Sequence, residues 1–226
     1  MEEKMPENKY LIFDSSSIIT FAMNDLTYSL KELHEKFNGD FIFSKDVEKE
    51  TITRSLDIPR FMLEALQIKG LVNDTVFTRF EKNLKKETER VLDIANHTFK
   101  AKGEWISIIH GGEASCLAIY KMLTSNKKAI VIDERTTRML CESPENLRKL
   151  LGLKLHTKVD SVKENYDFFK DIKIIRSCEL MFFAYSKGLI PLPANKRDSI
   201  KALLYAAKYK GCSVSNQEIK EAINYI

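Results

Sequence analysis

The first apolar run of the chain is Lys9-Tyr-Leu-Ile-Phe13, and it stops at Asp14 and Ser15-Ser-Ser17. A short continuous apolar run is typical of a strand that is buried on both faces of a sheet. Serines are favoured at helix N-termini, so a helix is predicted to begin where this strand ends. Asp14 therefore lies at a strand-to-helix junction.

The same arrangement returns along the chain. Further strands are predicted at 41–43, 106–109, 129–132 and 153–156. Helices are predicted between and after them, the clearer ones at 26–37, 59–70, 75–100, 111–123, 161–170, 174–187, 197–210 and 215–225. Short apolar strands that alternate with helices predict an α/β fold, a three-layer α/β/α sandwich around a mainly parallel sheet.

Composition limits the class of protein. The 226 residues are 44% hydrophobic and 30% charged, which suits one globular domain over 1–226. No window approaches the roughly 18 continuous apolar residues of a membrane span. Glu2, Glu3 and Lys4 precede the first apolar run, so a secretory signal is not expected. The net charge of +4 permits a polyanionic partner without requiring one.

The cysteines give no sign of a metal or disulfide framework. Cys116, Cys141, Cys178 and Cys212 are far apart and form no Cys-x-x-Cys pair. A structural zinc site therefore has little support, and a disulfide-stapled fold is not expected in a chain of this size. A reduced, cytoplasmic protein is the expectation.

Acidic residues follow the predicted strands or lie in the helices just after them. They are Asp14, Glu50, Glu113, Asp133 and Glu134. In parallel sheets, functional groups gather at the carboxyl ends of the strands, so these side chains are predicted to meet at one edge. Carboxylates so close together repel one another unless a cation neutralises them. Hard oxygen ligands suit Mg²⁺ or Mn²⁺ better than zinc.

Each of these acids also has a purely structural interpretation. Asp14 and Asp133 are each placed to cap the helix that follows them. Glu50 and Glu113 suit the first turn of a helix, where a negative charge is favourable. The metal hypothesis depends on the agreement of several positions and not on any one residue.

Four segments together resemble the signature segments of PIN-domain nucleases. They are Tyr10-Leu-Ile-Phe-Asp14-Ser-Ser-Ser17, Ser44-x-x-Val47-x-x-Glu50, Gly112-Glu113-Ala-Ser115 and Val131-Ile-Asp133-Glu134-Arg135-x-x-Arg138. The resemblance is greatest to the toxin-type (VapC-like) ribonucleases of prokaryotes, in which a Gly-Glu-Ala helix and an Ile-Asp-Asp/Glu-Arg segment are typical. Residues 57–104 are then a helical elaboration, and 158–226 form a helical C-terminal extension.

The resemblance implies a PIN-like domain that hydrolyses phosphodiester bonds in RNA. One or two Mg²⁺ or Mn²⁺ ions on Asp14, Glu50, Glu113 and Asp133 would activate a water molecule, with Glu134 in a supporting position. Ser16 would donate to the scissile phosphate or orient Asp14, and Arg135 would contact phosphate. The partners implied are RNA, a small antitoxin-like protein and a second copy of the chain.

Two other functions stay open. A non-catalytic PIN-like module that binds RNA or protein would keep the same fold, although all four acids are present here. A phosphatase with a nucleophilic Asp14 is disfavoured, because such enzymes need a second Asp where this chain has Ser16. Glu134 occupies a position at which the resembled family often has Asp. For Arg138, a place in a surface pair with Arg135, or the anchoring of a nearby carboxylate, is favoured over phosphate binding.

Overall fold

A computed structural model of the chain describes residues 8–193 and 195–224. The strands are β1 (Tyr10–Phe13), β2 (Asp40–Phe43), β3 (Phe77–Arg79), β4 (Phe99–Ala101), β5 (Glu104–Trp105), β6 (Lys128–Val131), β7 (Val159–Ser161) and β8 (Ile174–Ile175). The N-terminal helices are α1 (Ser15–Ala22), α2 (Thr27–Phe37), α3 (Lys45–Glu48), α4 (Arg54–Leu56), α5 (Met62–Asn73) and α6 (Lys85–Asn96). The later ones are α7 (Gly111–Met122), α8 (Arg135–Glu142), α9 (Pro144–Leu155), α10 (Tyr166–Phe169), α11 (Ser177–Ser186), α12 (Lys196–Tyr209) and α13 (Asn216–Asn224).

A parallel sheet forms the centre of the molecule, with strand order β3-β2-β1-β6-β8. Ile12 of β1 lies opposite Ile42 of β2 on one side and Ile130 of β6 on the other. The prediction of an α/β fold around a parallel sheet is confirmed, and the helix layers are consistent with an α/β/α sandwich. A small antiparallel sheet, β5-β4-β7, was not predicted.

Phenylalanine side chains pack the first three strands of the sheet together. The ring of Phe13 lies 5.0 Å from that of Phe41 and 4.9 Å from that of Phe77, measured between centroids. All three side chains are almost completely buried. Aromatic rings carry the largest apolar surface per residue, so this cluster contributes strongly to the stability of the strands that carry the acidic residues.

The predicted long helix over 75–100 is wrong. Thr75 has a positive φ of 58°, and Phe77–Arg79 then pairs with β2 as a third parallel strand. The helix begins only at Lys85. The helical spacing of Phe77 and Phe80 misled the prediction, because burial of Phe77 against Phe13 and Phe41 decides the conformation here.

Two predicted strands are also wrong. Residues 153–156 end helix α9, where His156 takes the left-handed conformation that commonly closes a helix. Residues 106–109 form no strand, and the backbone N–H groups of Ile108 and Ile109 donate instead to the side-chain oxygen of Asn96. The region after 158, predicted as all helical, contains β7 and β8.

A buried arginine joins the end of β8 to the C-terminal segment. Arg176 is 9% exposed, and its guanidinium donates to Glu179 at 2.7 Å, to the Ser213 carbonyl at 3.1 Å and to Glu218 at 2.7 Å. The bonds to Ser213 and Glu218 span about forty residues of sequence and fix α13 beside α11. Within the described part of the chain, no helix has the length and apolar character needed to cross a membrane.

We expect Arg176→Met to lower the free energy of unfolding by about 2 kcal/mol, because two carboxylates and a carbonyl lose their common donor. Arg79→Met is the matched control. Arg79 pairs with Glu48 at 2.6 Å on a more exposed surface, so its loss should change stability by less than about 1 kcal/mol. Urea denaturation followed by circular dichroism measures both variants. Equal effects of the two substitutions would contradict the anchoring role of Arg176.

Candidate functional site

Asp14 uses one carboxylate oxygen to cap α1 and turns the other towards α7. Its Oδ2 atom accepts hydrogen bonds from the Ser16 backbone N–H at 3.0 Å and from the Ser16 hydroxyl at 2.6 Å. Its Oδ1 atom lies 3.8 Å from the position that a Cβ atom would take on Gly112. Capping and a functional role are therefore compatible, since they use different oxygens of the same side chain.

Glu50 also lies close to Gly112. Its Oε2 atom lies 3.6 Å from the Cβ position of Gly112. Glu50 is part of a π-helical segment, Lys49–Thr53, that follows α3. Such segments are rare and are frequent at functional sites, because the extra residue in the turn redirects side chains. The helix carrying Glu50 was predicted, but its π-helical form was not.

Burial and neighbouring charges both act on Asp14. Desolvation, the larger cause, raises the pKa of the Asp14 carboxyl from 3.8 to about 6 against the lowering effect of the Ser16 hydrogen bonds. The negative charges of Glu113 and Glu50 raise this pKa further. The structure thus brings together three of the predicted acids, namely Asp14, Glu50 and Glu113.

Glu113 is oriented by its own helix. It lies in the first turn of α7, and its Oε2 atom accepts a hydrogen bond from the backbone N–H of His110 at 3.1 Å. This bond satisfies one free donor of the helix N-terminus and limits the rotation of the carboxylate. The helix-start contact of Glu113 is therefore compatible with a role in metal binding, as the capping contact of Asp14 is.

Asp133 has a different environment from the other three acids. It is 1% exposed, and its Oδ2 atom accepts hydrogen bonds from the hydroxyls of Thr20 at 2.7 Å and Ser177 at 2.6 Å. Its Oδ1 atom accepts from the Ser177 backbone N–H at 2.8 Å. Both carboxylate oxygens are therefore engaged with protein donors, which gives Asp133 a structural role between α1 and α11.

Ser16 connects the two aspartates. Its hydroxyl donates to Asp14 Oδ2 at 2.6 Å and accepts from the backbone N–H of Asp133 at 3.1 Å. Of the two roles predicted for Ser16, this geometry supports the orientation of Asp14. A shift of either strand end would break one of these two bonds, so Ser16 couples the ends of β1 and β6.

Two of the residues that follow Asp133 make their side-chain contacts within α8. Glu134 is the N-cap of α8, and its Oε2 atom accepts from the Thr137 backbone N–H at 2.6 Å. Arg135 is exposed. Arg138 pairs with Glu142 at 3.2 Å, so the predicted carboxylate pairing is confirmed. The structure gives Glu134 a capping role and leaves Arg135 at the surface.

Sequence reasoning missed Thr20 and Ser177, the partners of Asp133. Thr20 lies four residues after Ser16, on the same face of α1, which was a usable signal. Ser177 follows β8, a strand of only two residues, Ile174–Ile175, that no apolar run reveals. Its hydrogen bonds to Asp133 join positions 44 residues apart.

Two of the grooves in the described part of the chain differ in their relation to the predicted acids. One of about 650 Å³ separates α2 from α11 and is lined by Leu11, Phe41, Leu180 and Phe183 among others, with none of the predicted acids. The other, of about 470 Å³, has Glu50 in its wall and lies against α1 and α5. Of these two grooves, the second shares a residue, Glu50, with the site around Gly112.

The donor set suits a hard divalent cation in its chemistry. Carboxylate oxygens of Asp14 and Glu50 both lie within 4 Å of the Cβ position of Gly112, and such oxygens are the ligands that Mg²⁺ and Mn²⁺ prefer. Among residues 8–193 and 195–224, no group of three or more His, Cys, Asp or Glu side chains is spaced so that it could hold a metal ion. The pair of oxygens at Gly112 is the part of the site that fits.

Comparison with known proteins yields no match: no family model fits the chain, and neither a curated protein nor a solved structure is significantly similar to it. The resemblance to PIN-domain nucleases therefore stays a prediction, which depends on the four sequence segments and on the residues that they place at the sheet edge.

The contrast between the aspartate at 133 and the glutamate at 50 is testable through stability. We expect Asp133→Ala to lower the free energy of unfolding by about 3 kcal/mol or more, because one backbone N–H and two hydroxyls lose their buried acceptor. Glu50→Ala should change it by less than about 0.5 kcal/mol, since this side chain is exposed. Chemical denaturation of both variants measures the difference. A stable Asp133→Ala protein would contradict the structural role of this residue.

The raised pKa of Asp14 predicts a pH-dependent stability. Its folded pKa of about 6 exceeds the ordinary 3.8, so protonation stabilises the fold, and this contribution is lost as pH rises from about 4 to about 6. A shift of two pKa units corresponds to at most about 3 kcal/mol. In the absence of divalent metal, Asp14→Asn should therefore raise the melting temperature at pH 7.5 but not at pH 4. An equal gain at both pH values would show that ionisation of Asp14 is not the cause.

Proposed function

We propose that the protein is a metal-dependent ribonuclease whose site is built on Asp14, Glu50 and Glu113. The observation that carries the proposal is the convergence of Asp14 Oδ1 and Glu50 Oε2 on Gly112, at the carboxyl edge of a parallel sheet. The negative charges of Glu113 and Glu50 raise the energy of the ionised Asp14 carboxylate. A cation bound beside these three acids would lower that energy.

Asp14 and Glu50 would hold the cation, with Glu113 beside them. Bound Mg²⁺ or Mn²⁺ supplies Lewis-acid polarisation of a phosphate oxygen and acidifies a coordinated water molecule. Ser16 keeps Asp14 Oδ2 occupied, so the Oδ1 atom stays turned towards Gly112. The chain thus presents one defined carboxylate oxygen to the site and not a freely rotating pair.

The N-terminus of α7 gives the site a place for an anion. Gly111 and Gly112 are the first residues of this twelve-residue helix, and N–H groups in a first turn have no partner within the helix. Such groups, together with the helix dipole, favour a phosphate. Because Gly112 has no side chain, the space between Asp14 and Glu50 stays open to an RNA phosphate.

Asp133 is a positioning residue in this proposal. Its carboxylate is engaged by Thr20 and Ser177, and its backbone N–H holds Ser16, which in turn orients Asp14. Arg135 is exposed at the start of α8, where its charge is free to attract the RNA backbone. This assignment departs from the prediction that Asp133 holds the metal ion together with Asp14, Glu50 and Glu113.

A second candidate is a non-catalytic module that binds RNA. It is favoured by one observation, that no three acids among the described residues are spaced to hold a metal ion. The two candidates differ in what a divalent cation does to the protein. A cation that binds the folded but not the unfolded chain raises the melting temperature. The nuclease should show this rise, and a module without a metal site should not.

The decisive assay is cleavage of labelled single-stranded RNA in the presence of Mn²⁺. We expect the parent protein to cleave, and Asp14→Asn and Glu50→Gln to lose at least about 100-fold in rate, since each removes a charged ligand. Asp46→Asn is the control, because this exposed acid lies in the first turn of α3 and not at Gly112. Its rate should stay within about twofold of the parent.

Melting temperatures with and without Mn²⁺ complete the experiment. We expect a metal-dependent rise in the parent and in Asp46→Asn, and none in Asp14→Asn. Cleavage that survives both site substitutions would falsify the proposed site. RNA binding without cleavage and without a metal-dependent rise would instead establish the non-catalytic module.

A further inference from the structure

Two buried serines link the helix that leads to Glu50 with the helix that carries Gly112. Ser44 is the N-cap of α3, and Ser115 lies on α7. Their side-chain oxygens are 2.7 Å apart, although the two residues are 71 positions apart in the sequence. Both side chains are almost completely buried. A hydrogen bond between buried side chains of two different elements fixes the distance between those elements.

The hydrogen bonds of these serines form one continuous chain. Ser115 Oγ is also 2.7 Å from the Gly112 carbonyl oxygen, and Ser44 Oγ accepts from the Val47 backbone N–H at 3.1 Å. A hydroxyl carries one proton, and a carbonyl oxygen only accepts. Both bonds of Ser115 therefore form together when Ser115 donates to Gly112 and Ser44 donates to Ser115. The chain runs from Val47 through the two hydroxyls to Gly112.

The first residue of this chain is also bonded to the backbone segment that bears Glu50. The Val47 carbonyl accepts a hydrogen bond from the Thr51 hydroxyl at 2.9 Å, and the Thr51 side chain is buried. Thr51 directly follows Glu50 in the π-helical segment. The bonds therefore start beside Glu50 and end at Gly112, which is the residue that the Oε2 atom of Glu50 approaches.

The separation of these two elements matters for a metal site. Mg²⁺ binds oxygen ligands at about 2.1 Å and demands nearly octahedral geometry. Ser16 already orients Asp14 from its own helix, whereas Glu50 is carried by a different element. A displacement of about 1 Å in one ligand is enough to loosen such a site. Ser44 and Ser115 limit that displacement, because they join α3 directly to α7.

We propose that Ser44 and Ser115 are positioning residues of the metal site, which set the distance between the Glu50 carboxylate and Gly112. The inference rests on the proposed function, because it concerns the cation that Asp14 and Glu50 would hold. The two serines do not bind the cation themselves, since their hydroxyls are occupied by each other and by the backbone. Their effect on metal binding acts through Glu50.

The test measures affinity for Mn²⁺ apart from RNA cleavage. Electron paramagnetic resonance reports the concentration of free Mn²⁺ as the folded protein is titrated. We expect Ser115→Ala and Ser44→Ala each to weaken Mn²⁺ binding by about tenfold, the size of effect that loss of a contact supporting a metal ligand commonly has. The double variant should bind only slightly more weakly than either single variant, because both substitutions break the same bond.

Ser29→Ala is the matched control. Ser29 is completely buried on α2, and its hydroxyl donates to the Leu26 carbonyl at 2.7 Å. The substitution removes a comparable buried hydrogen bond from a helix that carries none of the predicted acids. The melting temperature should therefore fall, while Mn²⁺ affinity stays within about twofold of the parent. Circular dichroism at the titration temperature establishes that each variant is folded, and if one serine variant is unfolded the other alone decides.

A second background tests whether the serines act through Glu50. Glu50→Gln weakens Mn²⁺ binding by removing a charged ligand, so the titration extends to millimolar Mn²⁺. Adding Ser115→Ala to this background should weaken binding by less than about twofold more, because the ligand that Ser115 positions is already lost. A full tenfold further loss would show that Ser115 does not act through Glu50.

The outcomes separate this inference from the proposed function. Mn²⁺ affinity that is unchanged in both serine variants, or reduced no more than in Ser29→Ala, overturns the positioning role. Mn²⁺-dependent cleavage by the parent would then still support the nuclease. Weaker Mn²⁺ binding in both serine variants of a protein that never cleaves RNA would support the positioning role and overturn the nuclease. A parent protein that binds no Mn²⁺ overturns both.

Discussion

The pairing of β1 between β2 and β6 is the constraint on which the rest of the molecule depends. Parallel strands that are hydrogen-bonded side by side end at one edge of the sheet, and the backbone N–H of Asp14 extends the β6 pairing by donating to the Val131 carbonyl at 2.9 Å. The residues that follow these strands therefore lie close together at the carboxyl edge of the sheet. The phenylalanine cluster of Phe13, Phe41 and Phe77 keeps this edge from shifting.

Asp14 and Asp133 illustrate how neighbouring strand ends acquire different roles. Each aspartate follows a buried strand in sequence, yet Asp14 retains a carboxylate oxygen directed at Gly112, whereas both oxygens of Asp133 are engaged by donors from α1 and α11. Ser16 holds both of them in relation to each other. The carboxylate of Asp14 is the one available for the proposed chemistry, whereas that of Asp133 joins α1 to α11.

The acids at Gly112 are also a source of instability, which the proposed metal site would explain. Burial and the charges of Glu113 and Glu50 make the ionised form of Asp14 unfavourable. A chain selected only for stability would replace one of these acids, since a neutral side chain removes the repulsion. A cation bound at this place, as proposed, would lower the energy of the ionised carboxylates.

The sequence by itself determined the central strands β1, β2 and β6, the helix that starts at Gly111, and the placement of acids after strands, because short apolar runs and helix-start signals are local. It did not determine β3 or β8, whose two or three residues become strands only by pairing with β2 and β6. Only the tertiary structure decided which acids keep a free oxygen. The donors that occupy Asp133 come from positions 113 and 44 residues away, and no local pattern reports a contact that folding alone creates.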